Sequence, residues 1–349
     1  MPQFRKHPVT HEWVVIATER ARRPSDFKKD EAPPKPEFNE KCPFCPGNES
    51  QTPPEVLAYR PGHLPPNSPD WSVRVVSNKF PALQIEGDLD RDGVGMYDFM
   101  NGVGAHEVII ETPRHDLQIG NLEAEQATDV WQACKERMID LNGDERFKYT
   151  LVFRNHGKVA GASLEHPHSQ LIALPMIPHQ LKVEIEGARR FYQYHERCIF
   201  MDMIRQERNY VKRVIEETED FIVFCPFAPK HPFETWILPK RQQASFTDME
   251  RSELRGFSDM VRHTLMRISN CLNDPPYNYM LHTAPYSQEG DPAFSWHLEI
   301  IPRLTIAAGF EMGTGIYINV TTPEDAAEHL RNASPEPVVH VGAKLEAAH

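Results

Sequence analysis

The sequence repeats one order of strand and helix patterns in its two halves, and this repeat limits the folds that the chain can adopt. Residues 107–113 and 234–240 are similar strand patterns, each with a proline near its end. Each is followed by a short loop, a long amphipathic pattern and two further strand patterns, which end at Pro175 and Pro302, 127 residues apart. Chance similarity is the alternative to a true repeat. If the repeat is true, the two halves should lie side by side around a shared sheet.

Local patterns predict the elements of both halves. Runs rich in β-branched and aromatic residues predict strands at 13–16, 73–77, 107–111, 149–153, 170–174, 221–224, 235–238, 277–282 and 297–301. Apolar residues spaced three and four apart predict helices over 122–141 and 247–272, and a third helix is expected over 179–194. We therefore expect an α+β protein.

Charge and composition argue against several classes of protein. The 349 residues include 38 Lys and Arg against 50 Asp and Glu, a formal net charge of −12, which argues against nucleic-acid binding and against an anionic membrane surface. No apolar run approaches the ~18 residues of a membrane helix, and the first residues lack a signal-peptide pattern. Six cysteines in a chain of this length do not form a disulfide framework, so we expect a reducing, cytoplasmic location.

A proline-rich segment contains a pair of cysteines. Residues 33–69 include eleven prolines, which excludes a long helix because proline lacks the N–H group and clashes with the preceding turn. A disordered linker is one interpretation, but Cys42 and Cys45 indicate a segment that is held in place. The pair could bind a metal, form a redox couple or be two buried thiols, and the following Pro46-Gly47 disfavours a redox couple, which normally opens a helix. Histidines that could complete a metal site are His63, His106, His115, His156, His166 and His168.

The strongest candidate site is the polar run His166, His168 and Gln170. Residues two apart in a strand point the same way, so these three side chains would share one face. Three polar groups on an otherwise apolar strand are costly to bury without partners. A structural role is the better interpretation of one isolated histidine. Three polar residues after a loop that contains Gly161 and Ser163 indicate a functional site instead.

The second half carries scattered candidates. His195, Cys198, His231 and His297 are each better explained, taken alone, as structural residues. Glu299 lies two residues after His297 and repeats the alternating polar pattern, but the second half has no His-x-His-x-Gln run. We therefore expect the second half to share the shape of the first without its reactive histidine.

Residues 166–170 together with the upstream Cys42-x-x-Cys45 resemble the galactose-1-phosphate uridylyltransferase family, the nucleotidyltransferase branch of the histidine-triad superfamily. The resemblance extends over residues 12–327. Further matching pieces are residues 20–24, 76–82, 153–155 and the loop with Gly161 and Ser163. It implies an α+β fold of two fused histidine-triad-like halves, each an antiparallel sheet with a long helix, forming a shared sheet. The halves are expected at 1–178 and 179–335, with a tail at 336–349.

The resemblance also implies roles for single residues. Cys42, Cys45, His115 and His166 would form a structural zinc site. His168 would be the nucleophile that attacks the α-phosphorus, and Gln170 would stabilise the intermediate. The implied substrate contacts are Arg20 and Arg23 at the diphosphate, Asn78 at the nucleoside, Asn155, Gly161 and Ser163 at the phosphates, and Glu311 at the hexose.

A second metal site is less well defined. One version in relatives uses a second Cys-x-x-Cys, but Met201 stands at the position of its second thiolate, and a thioether is a poor zinc ligand. The candidates are Cys198, His231 and His297, with His195 as a substitute.

The implied activity is transfer of UMP from UDP-glucose to galactose 1-phosphate in galactose metabolism, through a uridylyl-histidine with ping-pong kinetics. The partners would be a nucleoside diphosphate sugar and a sugar 1-phosphate, and the resemblance implies a homodimer. The alternative enzyme is an ADP-glucose phosphorylase that uses the same histidine with phosphate as acceptor, and Thr305 in place of a basic residue leaves the sugar open. A nucleotide-binding regulatory protein without turnover is a third alternative, against which His168 and Gln170 argue.

Overall fold

The computed structural model describes residues 1–20, 22–27 and 35–337. The first half contains, in chain order, β1 (Gln3–Lys6), β2 (Trp13–Ile16), β3 (Glu55–Tyr59), β4 (Val73–Ser77), β5 (Asp92–Val94), β6 (Tyr97–Phe99), β7 (Ala105–Ile110), α1 (Ala124–Asn142), β8 (Tyr149–His156) and β9 (His168–Leu174). The second half contains α2 (His179–His195), α3 (Ile199–Tyr210), β10 (Val214–Glu217), β11 (Phe221–Phe224), β12 (Thr235–Pro239), α4 (Arg251–Leu272), β13 (Tyr277–His282), β14 (His297–Pro302), α5 (Gly309–Thr314), β15 (Tyr317–Asn319) and α6 (Pro323–Asn332).

Ten strands of the described residues form one sheet in the order β10-β11-β12-β14-β13-β8-β9-β7-β4-β3, with every pair antiparallel. From its outer edge to the centre, each half contributes strands in the same order. The halves meet where β8 pairs with β13, with Arg154 opposite Tyr279. The prediction of an α+β fold with two similar halves around a shared antiparallel sheet is therefore confirmed. The boundary at residue 178 stays a prediction, because the sheet is continuous across it.

The long helices α1 and α4 pack together on one face of the sheet. In α1 the buried residues recur every three or four positions, because that spacing places them on one side of a helix. At the start of helix α4, the carboxylate of Glu253 accepts from the backbone N–H of Glu250 at 2.8 Å, which satisfies a backbone N–H group that lacks a partner within the helix. Trp131 of α1 and Phe257 of α4 meet with ring centroids 4.9 Å apart. The helices therefore close the main core on this face, and His168 and Gln170 of the central strand β9 lie on the opposite face.

Several helices and strands of the structure are not among those predicted from the sequence. The unpredicted helices are α3, α5 and α6, and the unpredicted strands are β1, β3, β5, β6, β10 and β15. Strand β15 pairs in parallel with β2, which lies near the other end of the chain. Within its described residues 35–69, the proline-rich segment contains β3, which joins the main sheet at its edge. No helix among the described residues is long and apolar enough to span a membrane. Of the predicted tail, residues 338–349 lie outside the described residues.

Candidate active site and metal centre

His168 begins the central strand β9, and its ring has a defined proton arrangement. Its Nδ1 lies 2.7 Å from the backbone carbonyl oxygen of His166, so Nδ1 carries the proton and donates it. The lone pair of the neutral ring is therefore on Nε2. Burial lowers the pKa of His168 from its usual 6.5, since only 6% of the residue is exposed. At neutral pH the ring is therefore uncharged, with the lone pair of Nε2 free of a proton.

Four predicted zinc ligands come together beside this strand. The ligand atoms of Cys42, Cys45, His115 and His166 all lie within 4.8 Å of one another. The Sγ of Cys45 is 3.5 Å from Nδ1 of His115 and 3.6 Å from Nδ1 of His166, and the two Nδ1 atoms are 3.3 Å apart. Tetrahedral zinc with ordinary bond lengths separates sulfur from nitrogen by about 3.6 Å and nitrogen from nitrogen by about 3.4 Å. The four residues therefore fit a tetrahedral zinc ion.

The surroundings of the cluster support metal binding as well. His166 donates its Nε2 proton to the carbonyl oxygen of Thr112 at 2.8 Å, which orients the ring and leaves Nδ1 as the ligand atom. Burial raises the pKa of the Cys42 thiol to about 11 and lowers the pKa of His166 to about 4. The imidazole is therefore ready to bind, while the thiol would release its proton on binding a cation.

Phe44 connects the cluster to the candidate nucleophile. Its ring contacts His166 and His168 edge-on, with centroids 6.1 and 5.4 Å apart. Around it, an apolar cluster packs on the same face of the sheet, formed by Cys42, Phe44, Cys45, Trp71, Val76, Val108 and Ile110. The segment with the two cysteines thus covers the face of the sheet on which His168 lies.

The loop between β8 and β9 borders His168 and is held by the second half of the chain. Gly161 has φ +92°, a left-handed conformation that favours glycine, and it ends a short 3-10 turn over Lys158–Ala160. The Nδ2 of Asn278 on β13 donates to Oδ1 of Asn155 and to the carbonyl oxygen of Ala160, both at 2.8 Å. Gly161 and Ser163 are exposed. Their position beside β9 suits a loop that binds phosphate.

Gln170 and Asn78 both contact His106, which the sequence indicates only as a possible metal ligand. The Nε2 of His106 lies 2.8 Å from Oε1 of Gln170 and 3.1 Å from Nδ2 of Asn78. The structure therefore brings Gln170 and Asn78 together, and His106 lies outside the group of metal ligands.

Three predicted contacts are not joined to this group in the described structure. Arg20 lies in a short turn, and its side chain is outside the described residues. Arg23 is exposed before the turn Pro24–Asp26. The carboxylate of Glu311 accepts from the backbone N–H of Ala308 and so caps its own helix α5. Their roles at the diphosphate and the hexose stay predictions.

The second half contains a buried polar cluster that differs from the predicted second metal site. Glu184, His282 and His297 bring ligand atoms within 4.8 Å of one another, and Glu299 lies 3.7 Å from both histidine rings. Cys198 and His231 do not belong to this group. Cys198 contacts the carbonyl oxygen of Ala293, and His231 packs against Tyr317.

Opposite charges within this second cluster stabilise one another. Burial disfavours the charged ring of His297, but Glu184 and Glu299 outweigh this effect and raise the pKa of His297 to about 10. The pKa of His282 is also raised, because Glu299 and Glu184 favour the charged ring more strongly than burial disfavours it. Two imidazoles and a carboxylate are also a common ligand set for divalent cations. The pattern of His297 and Glu299, which repeats that of His168 and Gln170, was the one sequence signal for this cluster.

Comparisons with known proteins agree with this geometry. A family model described as galactose-1-phosphate uridyl transferase, N-terminal domain, matches residues 1–178, and one described as a domain of unknown function (DUF4921) matches residues 102–335. The chain is 35% identical over 338 residues to an ADP-glucose phosphorylase of Arabidopsis thaliana, covering 95% of this chain and 93% of the relative. It is 27% identical over 345 residues to a galactose-1-phosphate uridylyltransferase of Thermotoga maritima, covering 96% and 100%. A crystal structure of an A. thaliana ADP-glucose phosphorylase with bound ADP-glucose has a TM-score of 0.78 at 32% identity, covering 96% of this chain and 99% of that chain.

Proposed function

Because the chain belongs to the galactose-1-phosphate uridylyltransferase family, we propose that it transfers a nucleotidyl group from a nucleoside diphosphate sugar through a covalent bond to His168. The observation that carries this proposal is the ring of His168, which is buried and neutral and has its lone pair on Nε2. This atom is the nucleophile that phosphoryl transfer to histidine requires.

The reaction would proceed in two displacements. Nε2 of His168 attacks the α-phosphorus, the bond from phosphorus to the bridging oxygen breaks, and the sugar 1-phosphate leaves with that oxygen. The ring gains positive charge in this step, which the bond from Nδ1–H to the carbonyl oxygen of His166 stabilises. A phosphate oxygen of the acceptor then attacks the same phosphorus, and the phosphorus–nitrogen bond breaks to restore the neutral ring.

Neighbouring groups would stabilise the negative charge on the phosphoryl oxygens during the reaction. Gln170 shares the face of His168 on β9, two residues away, where an amide N–H can donate to a phosphoryl oxygen. Asn155, Gly161 and Ser163 would hold the remaining phosphate oxygens at the loop. A zinc ion bound by Cys42, Cys45, His115 and His166 would supply a structural crosslink between the proline-rich segment and β9.

Two specific reactions fit this chemistry. UMP transfer from UDP-glucose to galactose 1-phosphate is supported by the family model and by the T. maritima relative. Phosphorolysis of ADP-glucose is supported by the 35% identity to the A. thaliana enzyme, which exceeds the 27% to the T. maritima enzyme. We favour the adenylyl donor for this reason. A homodimer and a cytoplasmic location stay predictions.

An exchange assay tests the proposal and separates the two activities. Labelled glucose 1-phosphate should enter the donor without any acceptor, because the first displacement is reversible. Exchange into ADP-glucose but not into UDP-glucose would support the adenylyl donor. Exchange into UDP-glucose but not into ADP-glucose would support the uridylyl donor. His168→Ala should abolish exchange, whereas His179→Ala, at an exposed position of α2, should not change it. Turnover by the His168→Ala variant would refute the proposal.

A further inference from the structure

We infer that His106 is a positioning residue, whose ring fixes the side-chain amide of Gln170 so that the amide NH₂ group faces the phosphoryl group on His168. The part of this inference that concerns the phosphoryl group rests on the proposed function. The orientation of the amide itself follows from hydrogen bonds in the described structure.

The two side chains lie on one face of the sheet by strand register. β7 and β9 pair with Val108 opposite Gln170 and with Ile110 opposite His168. His106, two residues before Val108, therefore points to the same face as Gln170 and lies diagonally from it. At this position its Nε2 reaches Oε1 of Gln170 at 2.8 Å.

The proton on the ring of His106 is fixed from its other side. Nδ1 lies 3.2 Å from the backbone nitrogen of Ala82, and a backbone N–H can only donate. Nδ1 must accept this bond, so a neutral ring carries its proton on Nε2. The Nε2–H group then donates to Oε1 of Gln170. With the oxygen of the amide held by the ring, its NH₂ group is directed away from His106.

The opposite tautomer satisfies fewer groups. A proton on Nδ1 would face the N–H of Ala82, and both would be donors without an acceptor. Nε2 would then offer one lone pair to two amides, that of Gln170 and that of Asn78, whose oxygen is already held by the N–H of Phe80. The Nε2–H tautomer therefore costs less, although it leaves the NH₂ of Asn78 beside the ring.

The consequence is a fixed donor where charge develops. An amide can rotate by half a turn and present either oxygen or NH₂ to a phosphoryl oxygen, and only NH₂ stabilises it. His106 removes this choice before substrate binds. The backbone N–H of Asn78 also donates to the carbonyl oxygen of His106 at 2.8 Å, so the same residue anchors the segment that would contact the nucleoside.

A double-mutant cycle on the full chain tests this role. We compare the single-turnover rate of adduct formation on His168 in wild type, His106→Leu, Gln170→Leu and the double variant. His106→Leu should slow the wild-type rate by at least about tenfold, up to the ~10²–10³-fold known for complete loss of one oriented donor, and should not slow the Gln170→Leu enzyme further. His106→Gln, which keeps an amide donor near the position of Nε2, should restore part of the rate. Equal slowing by His106→Leu in both backgrounds would overturn the inference.

A second measurement is independent of activity. Two-bond ¹H–¹⁵N spectra of the protein labelled in histidine report the protonated nitrogen of each ring, and His106→Gln assigns the signal. We expect the neutral ring to carry its proton on Nε2 and none on Nδ1. The reverse tautomer would overturn the inference even if the enzyme is fully active. If the wild type forms no adduct, the proposed function fails, while the spectrum still decides the orientation of the amide.

Discussion

Substitution of Arg154 by methionine tests the buried ion pair beneath the candidate nucleophile. Arg154 on β8 pairs with Glu111, and the two side chains are 2% and 0% exposed. The hydroxyl of Ser169, which follows His168 in the chain, donates to the other oxygen of Glu111 at 2.5 Å and also contacts Tyr279 of the second half. The pair thus holds β9 from the face opposite His168.

The structure sets the size of the effect. Arg154→Met leaves the carboxylate of Glu111 buried without its cation, and removal of one partner of a buried pair costs about 3–5 kcal/mol. For a chain of this length, 1 kcal/mol shifts the melting temperature by about 1.4 °C, so we expect a decrease of about 4–7 °C. The exposed pair of Arg251 and Glu125 is the control, and Arg251→Met should cost about 0–1 kcal/mol.

Thermal unfolding of both variants, with the double variant Arg154→Met/Glu111→Leu, completes the test. Replacement of both charges removes the unpaired carboxylate, so the double variant should be more stable than Arg154→Met alone. A loss of less than 1 kcal/mol for Arg154→Met, or a double variant less stable than the single one, would refute the reasoning.

Three further predictions concern the site. Cys45→Ser should lower the zinc content below that of the wild type in elemental analysis, whereas Cys271→Ser should not, and equal zinc in both would exclude the assigned ligand set. Because burial lowers the pKa of His168 below its usual 6.5, protonation of the ring on the acid side should slow adduct formation with a midpoint below pH 6.5; a midpoint at or above pH 6.5 would contradict this. Asn278→Ala removes the bonds that hold Asn155 and the loop, so KM for the donor should rise severalfold in steady-state kinetics with little change in melting temperature, and an unchanged KM would argue against a phosphate-binding loop.

Much of the fold could be predicted because its signals are local. The two long helices and the central strands follow from the spacing of apolar residues. The repeat, with a proline near the end of corresponding strands, indicates a shared sheet. Strands β1, β3 and β15 are short, and β15 pairs with β2 from the other end of the chain, so no local period marks them. Tertiary pairing rather than local preference forms these strands.

The candidate site likewise has one part that the sequence predicts and one part that it does not. The alternation of His166, His168 and Gln170 predicts one polar face, and the structure places His168 and Gln170 on one face of β9, with His166 two residues before the strand begins. Glu184 and His282 lie on a helix and a strand 98 residues apart, and only the packing of α2 against the sheet brings them to His297. The resemblance to relatives with a second Cys-x-x-Cys implies Cys198 instead, since spacing in sequence carries no information on contacts between distant elements.

The central claim is that His168 becomes covalently bonded to a nucleotidyl group, and intact-protein mass spectrometry after incubation with ADP-glucose or UDP-glucose tests it most directly. The account predicts a mass increase of one AMP or one UMP, located by peptide mapping at neutral or alkaline pH on the peptide that contains His168, and lost when acceptor is added. Turnover without any such adduct, or an adduct on another residue, would contradict it.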